Sequence, residues 1–195
     1  MTRIAVFASG NGTNAENLIR NLTCGEVVLL FCNKPGAYVL QRARQLDVPA
    51  ITFSREELEN PDQENSLSAT LKIHKIDFII LAGFLWKIPE NLVRQWPGKI
   101  LNIHPALLPK YGGPGMYGER VHKAVLENGE KESGITIHIV DPLYDHGQII
   151  FQATCPVDPA DTPDTLAAKI HHLEQLHFPK VADLYISRIF KEQAV

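Results

Sequence analysis

Two polar side chains stand close together in the stretch LNIHPALLPK, at positions 101–110. Asn102 and His104 are two residues apart on a predicted strand, so their side chains point to the same side of a sheet. Pro105 then interrupts the strand and places both side chains at its carboxyl end. An amide N–H can stabilise an oxyanion, and an imidazole can transfer a proton near neutral pH. The pair is therefore a candidate catalytic site, although a hydrogen-bonded polar pair at a strand end would have the same pattern.

A second polar loop, VDPLYDHGQII at 140–150, lies between two predicted strands. Asp145 in this loop could lie beside His104, raise the pKa of its imidazole and fix its orientation. The Asp-x-Gly pattern also occurs in ordinary turns, which is the alternative interpretation. We expect His146 to be exposed and His138, which alternates with apolar residues, to have no direct catalytic role.

The other histidines lie on predicted helices, where we expect mostly solvated faces: His74, His122, His171, His172 and His177. No metal-ligand spacing such as HExxH occurs, so we expect no metal site.

A glycine-containing loop, SGNGTN at 9–14, separates the first predicted strand from the first helix. Such a loop gathers backbone N–H groups at a helix N-terminus and typically binds phosphate, and Thr13 and Asn14 add side-chain donors. Gly10 and Gly12 match the start of GxGxxG, but position 15 is alanine and no acidic residue follows the second strand. NAD is therefore disfavoured, and a phosphate group is favoured over a plain tight turn.

Strands alternate with helices through the first two-thirds of the chain. Buried strands are predicted at 3–9, 27–32 and 77–83, further strands at 49–53 and 99–104, and helices at 14–22 (with Asn14 as a candidate N-cap), 37–46, 65–76 and 91–96. The last third differs, with an antiparallel strand pair at 134–140 and 148–155 and a closing helix at about 163–190. The pattern predicts an α/β, Rossmann-like open sheet, mostly parallel and twisted, with helices on both faces, in one domain spanning 1–195.

Composition excludes several classes of protein. The net charge of −3 and the lack of a basic run give no support for general nucleic-acid binding. No apolar run reaches membrane length, and the N-terminal one is too short for a signal peptide, so we expect a cytoplasmic protein with no membrane partner. Cys24, Cys32 and Cys155 show no CxxC spacing and are expected to be buried, reduced thiols.

Six segments together resemble the phosphoribosylglycinamide formyltransferases, folate-dependent enzymes of purine synthesis. They are ASGNGTN, NKPGAYVLQRARQLDVP, LAGFLWKIP, LNIHPALLPKYGG, HKAVLENGEKESGITIHIVDPLYDHGQII and HFPKV. The stretch NIHPALLP alone is similar to all formyl transferases and hydrolases that use 10-formyltetrahydrofolate. The loop SGNGTN favours the ribonucleotide branch, whose substrate carries a 5′-phosphate.

The resemblance implies a formyltransferase fold and a role for each matching residue. It implies a catalytic trio formed by Asn102, His104 and Asp145. It implies ribonucleotide contacts from Gly12, Thr13, Asn14 and Glu174, with Glu174 at the glycinamide end. It implies folate contacts from Leu85, Trp86, Lys87, Ile88 and Asn102. The implied co-substrate is 10-formyltetrahydrofolate, with small-molecule partners and a monomer or weak homodimer.

Three features depart from the family pattern. Trp86 stands where arginine is common, His171 stands where glutamine is frequent, and the segment at 112–122 is longer than in many members. Other enzymes of this scaffold are less favoured, because methionyl-tRNA formyltransferase would need a further C-terminal domain and formyltetrahydrofolate deformylase a preceding one. A sugar-nucleotide N-formyltransferase and a non-catalytic folate- or nucleotide-binding module stay open as alternatives.

Overall fold

The computed structural model describes residues 1–60 and 66–192 of the chain. The strands in this part are β1 (Thr2–Ala8), β2 (Gly25–Cys32), β3 (Ala50–Thr52), β4 (Phe78–Leu81), β5 (Ile100–His104), β6 (Glu132–Ile139) and β7 (Ile149–Pro156). The helices in this part are α1 (Thr13–Asn21), α2 (Tyr38–Gln45), α3 (Arg55–Glu59), α4 (Leu67–Ile73), α5 (Glu90–Gln95), α6 (Glu119–Glu127) and α7 (Pro163–Glu192).

The strands form one mixed sheet in the order β3-β2-β1-β4-β5-β6-β7. Strands β1 to β5 pair in parallel, whereas β6 runs antiparallel to both β5 and β7. The predicted mostly parallel sheet with an antiparallel pair in the last third is therefore confirmed. The carboxyl ends of β1, β2, β4 and β5 consequently lie along one edge, where open α/β sheets bind their ligands.

Both faces of the sheet are covered by helices, as predicted. The side chains that point to either face of the parallel strands are therefore buried. On β1, Ile4 and Val6 belong to one core cluster and Ala5 and Phe7 to the other. The first cluster includes buried side chains from α1, α2, α6 and α7. The second is completed by α3, α4 and α5, so β1 is buried between two helical layers.

The structure corrects the sequence prediction at several element ends. Helix α1 begins at Thr13 with Gly12 as its N-cap, so Asn14 lies inside the first turn and the prediction of an Asn14 cap is wrong. Helix α3 was not predicted, although Ser54 and Glu57 form a complete capping box at its start. The predicted helix at 65–76 is shorter, spanning Leu67–Ile73, and its first predicted residue lies outside the described part of the chain.

The three cysteines are free thiols in the structure. Cys32 is buried, but Cys24 and Cys155 are only half-buried, so the prediction of full burial is wrong for these two. Burial, followed by the hydrogen bond and charge of Asp183, raises the pKa of Cys24 to about 12. Within residues 1–60 and 66–192, no helix is both long enough and apolar enough to cross a membrane.

Candidate active site

A cavity of about 500 Å³ opens at the carboxyl edge of the sheet, within the size range of ligand pockets. The glycine loop after β1 and the segment after β4 line two of its sides, and α7 contributes a further side chain in Glu174. Between them lie Asn102, His104 and Asp145. The structure thus brings together side chains that the sequence placed in distant segments.

The pairing of β5 with β6 fixes the surroundings of Asn102. Asn102 lies directly opposite His138 in the antiparallel register, so the two side chains share a face of the sheet. The Asn102 Nδ2 atom lies 3.0 Å from His138 Nε2 and 3.4 Å from Asp145 Oδ1. Because His138 Nδ1 is 3.0 Å from the carbonyl oxygen of Ile139, Nδ1 carries the proton and Nε2 accepts from the amide. One amide hydrogen of Asn102 is therefore donated to His138, and the other makes only the long contact with Asp145.

His104 is buried and its ring is oriented by a backbone carbonyl group. His104 Nε2 lies 2.7 Å from the carbonyl oxygen of Tyr111, which can only accept, so Nε2 is the donor. His104 Nδ1 faces the Asp145 carboxylate at 3.6 Å, a distance too long for a direct hydrogen bond. The predicted neighbourhood of Asp145 and His104 is thus present in the structure.

Burial lowers the pKa of His104, and this effect outweighs the Asp145 charge and the Tyr111 carbonyl, which raise it. The expectation of a raised pKa is therefore wrong as a net effect, although the contribution of Asp145 has the expected sign. The imidazole is neutral in the resting site, and it can gain a proton at Nδ1 beside the carboxylate.

Asp145 is held in place by the backbone around it. Its φ angle is +48°, an uncommon conformation for a non-glycine residue, and its Oδ2 accepts a 2.9 Å hydrogen bond from the Gly113 N–H. Burial works to raise the pKa of Asp145, but His138, His104 and the Gly113 N–H together lower it. The carboxylate is therefore ionised at neutral pH. His138 Nε2 lies 3.7 Å from the carboxylate, which is too far for a direct hydrogen bond.

Two glycines allow the loops around Asp145 to approach so closely. A Cβ atom on Gly147 would lie 1.8 Å from the carbonyl oxygen of Ile139, and one on Gly112 would lie 2.6 Å from Leu108 Cδ2. Gly147 therefore needs to be glycine, because a side chain there would push the β6–β7 loop away from β6 and carry Asp145 with it. At Gly112 the close atom is the end of the Leu108 side chain, which would have to shift to admit a Cβ atom.

The glycine loop closes the cavity beside α1. Gly12 has a φ angle of +82°, and a Cβ atom there would lie 2.3 Å from Val39 Cγ2, so only glycine fits. Arg42 on α2 holds the loop from outside, because its Nε donates to the Asn11 carbonyl oxygen at 2.9 Å and its Nη2 to the Asn11 side-chain oxygen at 2.7 Å. Arg42 also forms an ion pair with Glu16 of α1. The free N–H groups in the first turn of α1 thus line one wall of the cavity, where they can bind an anion.

Glu174 joins α7 to this wall. Although it carries a carboxylate, it is only 6% exposed, and its Oε2 accepts a 2.8 Å hydrogen bond from Asn14 Nδ2. Gln175 Nε2 donates to the Asn14 side-chain oxygen at 3.1 Å and completes the network. Burial raises the pKa of Glu174, against the Asn14 hydrogen bond and the His171 charge. Asn14 and Glu174, both predicted substrate contacts, therefore belong to one buried polar cluster.

The segment after β4 forms an aromatic and apolar wall. Trp86 packs edge-on against Phe53 at a ring distance of 5.9 Å, and the Arg55 guanidinium lies 4.9 Å from the Trp86 ring. The predicted folate contacts all line the cavity: Leu85, Trp86, Lys87, Ile88 and Asn102. Lys87 Nζ lies 5.7 Å from the Tyr144 ring across the opening, so this wall meets the loop that carries Asp145.

Two histidines have surroundings that sequence reasoning missed. His138 is 2% exposed and hydrogen-bonded to Asn102, and the sequence did not predict this bond because it depends on the register of β5 with β6. His122 on α6 is 4% exposed and lines the cavity, so the prediction of a solvated face is wrong for it. His146 is exposed as predicted and pairs with Asp141 at 2.7 Å. The described part of the chain contains no group of three or more His, Cys, Asp or Glu side chains placed to hold a metal ion.

Known proteins are similar to this chain in both sequence and fold. The sequence model described as formyl transferase matches residues 2–182. The chain belongs to the formyl transferase family. Among its members, the phosphoribosylglycinamide formyltransferase of Bacillus subtilis is 37% identical over 93% of this chain and 93% of its own length.

Other family members are longer. The chloroplastic phosphoribosylglycinamide formyltransferase of Arabidopsis thaliana is 41% identical over 92% of this chain, which spans 63% of that protein. The trifunctional purine biosynthetic protein adenosine-3 of Drosophila melanogaster is 41% identical over 95% of this chain, which spans 14% of that protein. The chain thus covers less than two thirds of these two relatives.

Solved structures of the family superpose on the whole fold. The phosphoribosylglycinamide formyltransferase of Streptococcus pneumoniae TIGR4 has a TM-score of 0.84 and is 37% identical, covering 94% of this chain and 98% of its own. The same enzyme from Bacillus halodurans has a TM-score of 0.84 and is 33% identical, covering 96% of this chain and 97% of its own. The formyltransferase fold implied by the sequence motifs is therefore confirmed.

Proposed function

We propose that this protein transfers the formyl group of 10-formyltetrahydrofolate to the amine of glycinamide ribonucleotide. The products are formylglycinamide ribonucleotide and tetrahydrofolate, in a step of de novo purine synthesis. The observation that carries the proposal is the placement of Asn102, His104 and Asp145 in the same cavity as the glycine loop. A site that only bound ligands would have no need of an amide and a buried imidazole beside an ionised carboxylate.

The oxyanion is stabilised by groups at the end of β5. When the amine attacks the formyl carbon, a C–N bond forms and the formyl oxygen gains negative charge. Asn102 has one amide hydrogen that makes only a 3.4 Å contact with Asp145, and this is the hydrogen that can turn to the oxyanion. His104, once protonated at Nδ1, presents a second donor on the side that faces Asp145.

Asp145 supports the proton transfers of the reaction. The attacking amine must lose a proton, and the folate nitrogen must gain one as its bond to the formyl carbon breaks. The ionised carboxylate of Asp145, 3.6 Å from His104 Nδ1, stabilises the imidazolium form of His104. The proton that the amine loses can pass to the folate nitrogen through a water molecule bound in the cavity beside this pair. No covalent enzyme intermediate is required.

Two walls of the cavity match the two substrates. The first turn of α1, with Gly12, Thr13 and Asn14, offers N–H groups to the ribonucleotide phosphate. Glu174 uses one oxygen for Asn14 and keeps the other for the glycinamide end. On the opposite side, the Leu85–Ile88 segment supplies the apolar and aromatic surface for the folate. We further propose a cytoplasmic monomer or weak dimer that acts on small molecules.

An absorbance assay tests the reaction. The purified protein is mixed with a 10-formylfolate analogue, with and without glycinamide ribonucleotide, and the deformylated folate is followed over time. Deformylation that requires the ribonucleotide is the expected result. Deformylation without it would replace the transferase with a hydrolase, and bound folate with no deformylation would leave a binding module.

A further inference from the structure

His122 is a buried polar side chain that the proposed reaction does not yet use. It lies on α6, is 4% exposed and lines the same cavity as the catalytic trio. Its Nδ1 atom is fully buried and has no hydrogen-bond partner in the part of the chain that the structure describes. A buried donor or acceptor without a partner costs free energy, so a side chain placed in this way calls for a reason.

The surroundings of His122 keep its imidazole neutral. Burial lowers its pKa to about 4, the charges of His171 and His104 act in the same direction, and Glu119 opposes them. A neutral imidazole carries one donor and one acceptor. Because Nδ1 is inaccessible, the Nε2 edge of the ring is the edge that can meet a ligand in the cavity.

The neighbours of His122 define the part of the substrate it can reach. His104 belongs to the reacting centre, whereas His171 lies 4.0 Å from the Glu174 carboxylate, on the ribonucleotide side of the cavity. His122 is close enough to both histidines for their charges to act on it. It lines the same cavity as the reacting centre and as the Glu174 wall that receives the ribonucleotide.

We propose that His122 positions the ribonucleotide by a hydrogen bond from Nε2 to its sugar or glycinamide portion. These groups carry hydroxyl and amide oxygens, which match a neutral N–H donor. A neutral side chain here also leaves His104 free to take up the proton that Asp145 stabilises, since a second imidazolium nearby would oppose that charge. The inference rests on the proposed function and adds a specificity residue to it.

Three variants and a matched control test this role by steady-state kinetics. His122→Phe keeps the ring shape and removes both nitrogens, so we expect it to raise the KM for the ribonucleotide about tenfold. The KM for the folate should stay within about twofold, because the lost contact lies on the other substrate. His122→Gln places an amide near the position of Nε2 and should recover most of the loss, whereas His122→Asn, which mimics Nδ1, should not. His172→Phe, an exposed imidazole on α7 outside the cavity, is the control.

A second readout uses the unmodified protein, so it does not depend on how the variants fold. With isotope-labelled histidine, adding the ribonucleotide should shift the ring resonances of His122 and leave those of His172 in place. If the protein transfers the formyl group but neither the KM values nor these resonances change, the role of His122 is refuted and the proposed function stands. If the ribonucleotide neither binds nor reacts, both proposals are refuted.

Discussion

The substitution Asp145→Asn isolates the charge of one carboxylate. The asparagine side chain has the same size, and its oxygen can still accept the hydrogen bond that Gly113 N–H gives to Asp145 at 2.9 Å. The loop should therefore keep its conformation. What is lost is the negative charge 3.6 Å from His104 Nδ1.

The size of the effect follows from this distance. Two unit charges 3.6 Å apart interact by about 4.6 kcal/mol at an effective dielectric constant of about 20, which suits a pair as buried as this one. If the imidazolium forms fully in the transition state, turnover should fall by about a thousandfold. The KM values should change little, because the charge on His104 develops only during the reaction.

Two measurements check this reasoning. Single-turnover rates give the loss in the chemical step. An NMR titration should show a further lowered His104 pKa, since the Asp145 charge is the larger of the two effects that raise it. Asp141→Asn is the control, because Asp141 lies on the same loop but pairs with the exposed His146, and it should cost less than about fivefold. A loss below about tenfold for Asp145→Asn, or an equal loss for both variants, would refute the electrostatic role.

Further predictions concern the remaining parts of the site. Asn102→Ala should lower turnover by about a hundredfold or more without changing the melting temperature much; a near-normal rate would remove Asn102 from the oxyanion site. Gly12→Ala should cost about 1–3 kcal/mol of stability and raise the KM for the ribonucleotide, measured by denaturant unfolding and kinetics. Glu174→Gln should weaken ribonucleotide binding. Burial raises the pKa of the Glu174 carboxyl above 4.5, so the unmodified protein loses stability as the pH rises through that pKa and the carboxyl ionises. The variant lacks this ionisation, so its stability relative to the unmodified protein should increase with pH above 4.5. An unchanged stability difference between pH 4 and pH 8 would contradict this sign. Because the pKa of His122 falls from 6.5 to about 4 on folding, the unfolded state binds more protons between these pH values. The free energy of unfolding should therefore fall by up to about 3 kcal/mol as the pH is lowered from 6.5 to 4, and His122→Gln should remove that part of the slope in pH-dependent unfolding.

Much of the fold could be predicted because its signals are local. The continuous apolar runs of β1, β2 and β4 follow directly from the burial of these strands in the middle of the sheet. The alternation along β6 did not predict its burial, because Ser133–His138 are buried on both faces. The short helix α3 was missed because five residues are too few for a periodic pattern, although its capping box was visible at Ser54 and Glu57. The Asn14 cap was wrong because Gly12, in a left-handed conformation, already ends the loop.

The site could be predicted only where a local sequence motif indicates it. Pro105 after His104, and the glycine loop after β1, place polar groups at the carboxyl edge without any tertiary information. Nothing in the local pattern of His138 or His122 distinguishes a ligand-facing imidazole from a core or surface one. Their positions depend on the register of β5 with β6 and on the packing of α6 against the cavity, which are long-range contacts.

The most direct test of the central claim follows the formyl group itself. The folate donor is prepared with a ¹³C-labelled formyl carbon, and the reaction with glycinamide ribonucleotide is observed by ¹³C NMR. The proposed function predicts that the label moves into a new formamide signal on the ribonucleotide, in step with the loss of the folate signal. A label that appears as free formate, or that stays on the folate, would contradict it.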